Sequence, residues 1–391
     1  MKKILILTQP NDLHACVVAE ALARRGAQAV LWHTSDYPTR SRESVLFENG
    51  VRRVRIEAPE TAIVDDGSYH VVWHRRPTLQ VIDPAAISPA DREFVELGCM
   101  TFRRGLFDGL GRDAFWVNDY TSSLRAESKL RQQSAAMEVG LTTPDTLFSN
   151  DPDEVRGFLR RHGGTIVYKP LNTLAWKDEH AVWVNYTSLL TEEELVEEEL
   201  LQAVPGIFQS LVPKAFELRL TMIGRHALTA KLLSQRTEKG RLDWRRSYDE
   251  LTMEPFAAAP ALIERCRALL DRLGLVFGCF DFVVTPDGRF VFLEVNQMGQ
   301  FLFVERYAGL PMLDCFTEML LAGTPDFAWR EHAGSLRYAD LAAPATRRLE
   351  RDRELHVERK PRDQDEATLS AETVPQCQHR SSATGASSVL A

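Results

Sequence analysis

A chain of 391 residues with 44% hydrophobic and 26% charged residues has ordinary globular composition and enough apolar material for two or three domains. Its formal charge of −8 lacks the basic excess that nucleic-acid binding demands, and no apolar run approaches membrane-spanning length. Six cysteines (Cys16, Cys99, Cys266, Cys279, Cys315, Cys377) form no Cys-x-x-Cys pair, so they read as buried thiols of a reducing cytoplasm rather than as disulfides or zinc ligands.

The opening "MKKILILTQPND" carries a short apolar run without a small-residue cleavage site, which disfavours a signal peptide. From there the pattern is strand, helix, strand: "KILILT", then "HACVVAEALARRG" ending at Gly26, then "AVLWHT". This is a parallel α/β opening, yet its first turn "QPNDLH" is no dinucleotide fingerprint. A strand at "YHVVWHRRP", a helix over about Ala90–Leu110 and the strand "FWVND" complete a first region near residue 119. Gly105, Gly109 and Gly111 have the wrong spacing for a phosphate loop and read as a helix end.

One helix is expected over "SLRAESKLRQQSAAMEVG", then "TTPDTLFSND" leads to a second helix and the strand "TIVYKPL". In "TEEELVEEELL", Thr191 and Glu194 have capping-box spacing, which makes the acidic run a solvated helix start. Strands follow from "GIFQSLV" through "FELRLTMIGRHALTAKLLS", then the helix "APALIERCRALLDRLG" and the hairpin "FVVTPDGRFVFLEVNQMGQF". Beyond residue 330 the chain turns polar and Ser-rich, and residues 331–391 read as a disordered tail that cannot bury enough apolar surface to offset its ordering entropy.

Counting faces places the polar residues of the last strands. If Thr285 and Gly288 flank a two-residue turn, Asp281 stands opposite Phe292, and Glu294 is its diagonal neighbour with Asn296 on the same face. Two carboxylates and an amide oxygen are hard donors suited to magnesium shared with phosphate; the competing reading is that strand-end acids are merely solvated. In "AFELRLTMIG" the same count sets Glu217, Arg219 and Thr221 on one face. An arginine among apolar neighbours suits an anionic ligand, or else a structural Glu–Arg pair across the sheet. Lys169 closes an apolar strand, whereas Lys129 sits on a helix where a lone lysine by itself means little.

The ordered features, Lys129 on a helix, "TTPDT", strand-end Lys169, "FQSLVPKAFELRL", then Asp281 with "FLEVNQMGQF", resemble the ATP-grasp superfamily of carboxylate ligases. Within it, "VPKAFELRLTMIG", "SQRTEKGRLDWRR" and "LEVNQMGQF" are most similar to the graspetide (microviridin-type) peptide macrocyclases, over roughly residues 1 to 325. The resemblance implies an α/β fold: an N-terminal pre-ATP-grasp parallel domain (1–119), then central (120–205) and C-terminal (206–330) ATP-grasp subdomains that sandwich the nucleotide.

It also implies roles. Lys129 and Lys169 hold the ATP phosphates, the hinge Gln209–Val212 with Leu211 meets adenine, and Lys214 or Glu217 lies near the ribose. Asp281, Glu294 and Asn296 bind Mg2+, and Arg219 with Lys169 stabilises the transferring phosphoryl group; Arg236, Asp243 and Arg245 are further candidates for substrate contact. The implied partner is a ribosomal precursor peptide, leader plus core, whose Asp or Glu side chain is activated as an acyl phosphate and closed onto a Ser or Thr hydroxyl or a Lys amine. A homodimer is a candidate assembly. Such chemistry needs positioning and charge neutralisation, in keeping with a sequence that offers no Ser-His-Asp or Cys-His arrangement. Other readings are a ligase that adds a free amino acid or amine to a carboxylate, or a binding module without catalysis. Two departures stand out: "LNTLAWKDEHAVW" has no glycine where such enzymes carry a Gly-rich loop, and Gln297 replaces the proline that usually follows "EVN".

Overall fold

The computed structural model describes residues 1–358 apart from 66, 172–174, 178–181, 185–186, 196–197, 238–239, 243 and 245–249. Strand β1 (Lys3–Thr8), helix α1 (Leu13–Arg24) and strand β2 (Gln28–His33) form the expected parallel opening, with Asp12 capping α1. Next come β3 (Arg42–Glu48), β4 (Val51–Ala58) and β5 (Thr61–Asp65), an antiparallel three-stranded sheet that the strand count in sequence passed over. Strand β6 (Tyr69–His74), helix α2 (Arg92–Gly109) and strand β7 (Phe115–Val117) complete the parallel sheet, in the order β2-β1-β6-β7. Alternation divides β1 between two cores: Ile4 and Ile6 pack with α1, while Leu5 and Leu7 pack with Trp32, Ile56, Leu106 and Phe107.

The single helix expected next is two, α3 (Tyr120–Ala126) and α4 (Lys129–Glu138), because Asp119 and Ser128 each cap a separate start. Then follow β8 (Thr146–Ser149), α5 (Pro152–Arg161), β9 (Thr165–Pro170), the hairpin β10 (Ala175–Lys177) and β11 (Val182–Val184), β12 (Ser188–Thr191), α6 (Glu198–Ala203) and β13 (Gly206–Ser210). The Thr191–Glu194 capping box is present. An antiparallel sheet β12-β9-β13-β8 buries Ile166, Tyr168 and Phe208 against Val155, Phe158 and Leu159 of α5.

The second half is built on β14 (Phe216–Ile223), β15 (His226–Leu232), β16 (Met253–Pro255), α7 (Pro260–Leu273), β17 (Phe277–Val284) and β18 (Phe290–Asn296), in the sheet order β16-β15-β14-β17-β18. One face is wholly apolar: Leu218, Leu220, Met222, Phe280, Phe282 and Phe292 bury against α7 and against Ala126, Ala135 and Ala136 of α3 and α4. Helices α8 (Leu302–Ala308) and α9 (Met312–Ala322) cover part of the other face and join it to α1.

The disordered tail expected from residue 331 is corrected by a final helix, α10 (Tyr338–Leu355), packed along α1. Tyr338, Leu341, Ala345 and Leu349 recur at helical spacing, and Leu341 and Ala345 are fully buried. A segment poor in apolar residues thus folds because the few it has share one face. Residues 359–391, with Cys377, lie outside the described residues, and the other five cysteines are buried and free.

Candidate active site

Alternation on β14 puts Leu218 and Leu220 into the apolar core and turns Glu217, Arg219 and Thr221 to the opposite face, as read from sequence. Arg219 pairs in register with Asp281 on β17. Its Nη1 donates to Asp281 Oδ1 at 2.7 Å, and its Nη2 donates to the Gln300 carbonyl at 3.0 Å. Burial works to depress the Arg219 pKa, but the Asp281 carboxylate outweighs it and holds the guanidinium above its ordinary value. The structural Glu–Arg alternative therefore takes a different form. Glu217 pairs with Lys214 (2.6 Å) and accepts from Ser234 Oγ (3.0 Å), and burial raises its pKa against the pull of that lysine.

The register of the last hairpin departs from the count. Gly288 N–H donates to the Thr285 carbonyl and Thr285 N–H to that of Arg289, so the loop is one residue longer than a two-residue turn, and Phe282 pairs with Phe292. The register then slips between Asp281 and Phe282, leaving Leu293 as the extra residue and setting Glu294 directly opposite Asp281. Without the slip Leu293 would stand beside Asp281 and Glu294 would turn into the core with Phe292. The bulge is what brings the two carboxylates together.

Lys129 arrives from outside the sheet. It is the first residue of α4, and its Nζ is ion-paired with Glu294 Oε2. What holds α4 there is Gln132, one turn on and buried. Its Nε2 donates to the Val295 carbonyl (2.9 Å) and its Oε1 accepts the Val295 N–H (3.0 Å), completing the open edge of β18 as another strand would. Sequence reasoning missed Gln132; the signal was an amide three residues after Lys129 on a face otherwise lined by alanine. Thr142 of "TTPDT" also joins this edge, its carbonyl accepting Phe292 N–H at 2.7 Å.

Beyond Asn296 the chain turns sharply. Asn296 is exposed, and its Oδ1 accepts the Met298 N–H at 3.1 Å. Gly299 passes so near β17 that a Cβ there would meet Cys279 Cβ at 2.6 Å, so no other residue fits that path. Gln297, in place of the usual proline, is buried and donates to the Ser123 carbonyl at 3.3 Å. The first domain clasps the same turn. Arg75, ion-paired with Asp12 (3.0 Å), donates to the Met298 carbonyl, while His14 Nε2 accepts the N–H groups of Phe301 and Leu302, both at 3.2 Å. Asn118 is fully used: its Nδ2 donates to the carbonyls of Phe277 (2.9 Å) and Gln297 (2.8 Å), and its Oδ1 accepts from Val276 (2.8 Å) and Phe277 (2.9 Å).

The remaining candidates lie on the other sheet and its exit. Lys169 of β9 stands opposite Ile207 of β13, and Gln209 opposite Val167, so Lys169 and Gln209 share the face turned away from the α5 core. Gln209 is buried and donates to Thr146 Oγ1 at 3.1 Å, Leu211 is exposed, and Val212 lies on the short link to β14. Arg236 is exposed on a turn after β15, whereas Asp243 and Arg245 lie outside the described residues, as does most of the glycine-free stretch after Lys169.

Two buried or half-buried carboxylates with an adjacent exposed amide oxygen make a donor set that fits magnesium, and neither acid is simply solvated. Arg219 and Lys129 balance those carboxylates in the structure described here.

Residues 3–123 match the MvdD pre-ATP grasp domain. No curated protein matches the chain in sequence. Among solved structures, the chain is similar to a Chryseobacterium gregarium RiPP-associated ATP-grasp ligase in complex with ADP and a leader and core peptide, with TM-score 0.76 and 23% identity over 83% of this chain and 98% of that one. It is similar to the macrocyclase MdnC of Microcystis aeruginosa MRC bound with precursor peptide MdnA, with TM-score 0.72 and 28% identity over 82% and 99%. A third similar structure is the ATP-grasp ligase PsnB complexed with a phosphomimetic variant of its minimal precursor, Mg and ADP, at TM-score 0.64 and 22% identity over 83% and 99%. The fold is thus the ATP-grasp ligase fold, and the resemblance read from the ordered motifs is borne out.

Proposed function

We propose that this chain is an ATP- and magnesium-dependent macrocyclase of a ribosomal precursor peptide, joining Asp or Glu side chains to Ser or Thr hydroxyls or Lys amines with release of ADP and phosphate. The observation that carries the reading is the convergence of Arg219, Asp281, Glu294 and Lys129 on one face, in a chain similar over 82% of its length to a macrocyclase bound with its precursor peptide.

ATP, when bound, supplies the phosphoryl group that turns a side-chain carboxylate into an acyl phosphate with a good leaving group. The chain's own part is electrostatic and positional. Asp281, Glu294 and Asn296 would hold the metal through oxygen donors, and Lys129, paired with Glu294, would turn to the phosphates once the metal takes its place. Arg219, kept charged by Asp281 and aimed by the Gln300 carbonyl, would meet the negative charge that builds on the transferring group. Lys169 and Gln209, on one face of the neighbouring sheet, would face the nucleotide, and Leu211 and Val212 would form its hinge. Lys214 and Glu217 would lie at the ribose, and Arg236 with Asp243 and Arg245 at the peptide.

Incubation with ATP, magnesium and a candidate precursor, a short Thr-, Ser-, Asp- and Glu-rich peptide sought among the open reading frames beside the gene, tests the reading. Loss of one water per ring with matching ADP release is the expected result. A gain in mass from a free amino acid would instead make it a ligase of the additive kind.

A further inference from the structure

The junction between α10 and the first domain contains a cluster that peptide ligation does not use. His33 ends β2, Asp352 lies in the last turn of α10, and His356 follows that helix; they are 3%, 8% and 7% exposed. One ring nitrogen from each histidine and one carboxylate oxygen of Asp352 lie within 4.8 Å of one another. We propose that His33, Asp352 and His356 form a zinc-class divalent-metal site that staples the C-terminal helix to the parallel sheet.

Geometry argues for it first. His33 Nε2 and Asp352 Oδ2 are 3.4 Å apart. That equals the edge, about 3.4 Å, of a tetrahedron drawn at ordinary zinc–nitrogen and zinc–oxygen lengths of about 2.0–2.1 Å. Behind His356 stands Asp36, fully buried, whose Oδ2 lies 2.6 Å from His356 Nδ1 and whose Oδ1 accepts the Val357 N–H at 2.8 Å. With Nδ1–H given to a carboxylate, Nε2 is the nitrogen left for a metal, and an outer carboxylate behind the imidazole is how metal-binding histidines are fixed.

Charge argues the same way. Asp36 and Asp352 are both buried, and among the described residues their ion pairs go only to these two imidazoles. One divalent cation balances both carboxylates. Two nitrogens and one oxygen suit zinc, cobalt or nickel and not magnesium, which separates this site from the oxygen donors on β17 and β18. Cys16 Sγ, 3.8 Å from Asp352 Oδ2, is a further donor at the edge of the cluster. The surrounding backbone is already stitched: Ser35 Oγ donates to the Val357 carbonyl, and Arg40 Nη1 to that of Leu355 at 2.6 Å.

The test uses the full untagged chain, stripped with dipicolinate and titrated with Co2+ under excess Mg2+, which saturates the oxygen-donor site. One equivalent of Co2+ with the visible absorption of a four-coordinate complex, displaced by Zn2+ and accompanied by a rise in Tm, is expected. His356→Gln and Asp352→Asn should abolish that signal, and Asp36→Asn should weaken affinity about 10–100-fold. Stripped wild-type protein that keeps its circular dichroism but takes up no stoichiometric Co2+ or Zn2+ overturns the proposal. So does uptake that is unchanged in both ligand variants. If either variant fails to fold, the wild-type titration alone decides.

Discussion

Arg219 lies directly across from Asp281, with Nη1 donating at 2.7 Å to Oδ1 while Nη2 reaches the Gln300 carbonyl. The guanidinium therefore spans two fixed acceptors with a geometry that a lysine cannot copy. Arg219→Lys should slow peptide cyclisation by about two orders of magnitude or more, with ATP affinity changed only a few-fold. Cyclisation rate and nucleotide binding measured on one preparation decide this. A fully active lysine variant would remove Arg219 from the chemistry.

Glu294→Gln keeps the shape of the site and removes one charge. Because the Lys129–Glu294 pair is about 30% exposed on both sides, its loss should cost the fold no more than about 1 kcal/mol. The rate should nevertheless fall by about 100-fold or more and not recover at saturating magnesium. Wild-type turnover at high magnesium would show that Glu294 is no ligand.

Leu341, fully buried between α10 and α1, gives the C-terminal helix a measurable weight. Leu341→Ala should cost about 2–5 kcal/mol in urea unfolding. Truncation after residue 337, which removes α10, should lower the unfolding midpoint sharply relative to truncation after residue 358, which keeps it. A chain ending at 337 with wild-type stability would mean that α10 only rests on the surface.

His74 carries a pH dependence. It is 3% exposed, neither ring nitrogen has a hydrogen-bond partner among the described residues, and burial pushes its pKa from 6.5 down to about 4 against a smaller opposing pull from Asp119. The unfolded chain binds the proton first, so the contribution is intact above about pH 6.5 and lost as pH falls toward 4. At pH 5 the loss is about 2 kcal/mol. His74→Phe should shrink the difference in stability between pH 7 and pH 5 by that amount; an unchanged difference would contradict the assignment.

Asn118 satisfies four main-chain groups at once. Asn118→Ala strands them and should cost about 3 kcal/mol or more by chemical denaturation. A loss below about 1 kcal/mol would show that water replaces the amide.

Much of this was legible in the residues. Strict alternation on β14 placed Arg219 correctly, and the β17–β18 hairpin was plain from its apolar runs and its Pro286-Asp287-Gly288 loop. The register was not, because one added loop residue and one bulge each shift the pairing by a single step, and periodicity cannot count either. Helix α10 was hidden by averaging, since four apolar residues on one face are few within a long polar stretch but enough against α1. The β3–β4 hairpin had an available signal in Asn49-Gly50, both at positive φ (50° and 76°), which the alternation with charged residues obscured.

The clasp between the first domain and the turn after Asn296 bears on how such proteins can be recombined. The hydrogen bonds of Arg75, His14 and Asn118 to this region all address main-chain atoms, at Val276 and Phe277 and along 297–302, and none of them reads a partner side chain. Apart from Gly299, whose path admits no side chain, and Phe301, whose buried ring packs on His14 and Phe277, sequence on the far side can drift while its backbone path cannot. A hybrid crossed over near residue 119 should therefore assemble when the two parents share the glycine at 299 and the buried aromatic ring at 301 and have equal spacing from the end of β18 to α8, and fail when an insertion or deletion falls in those few positions.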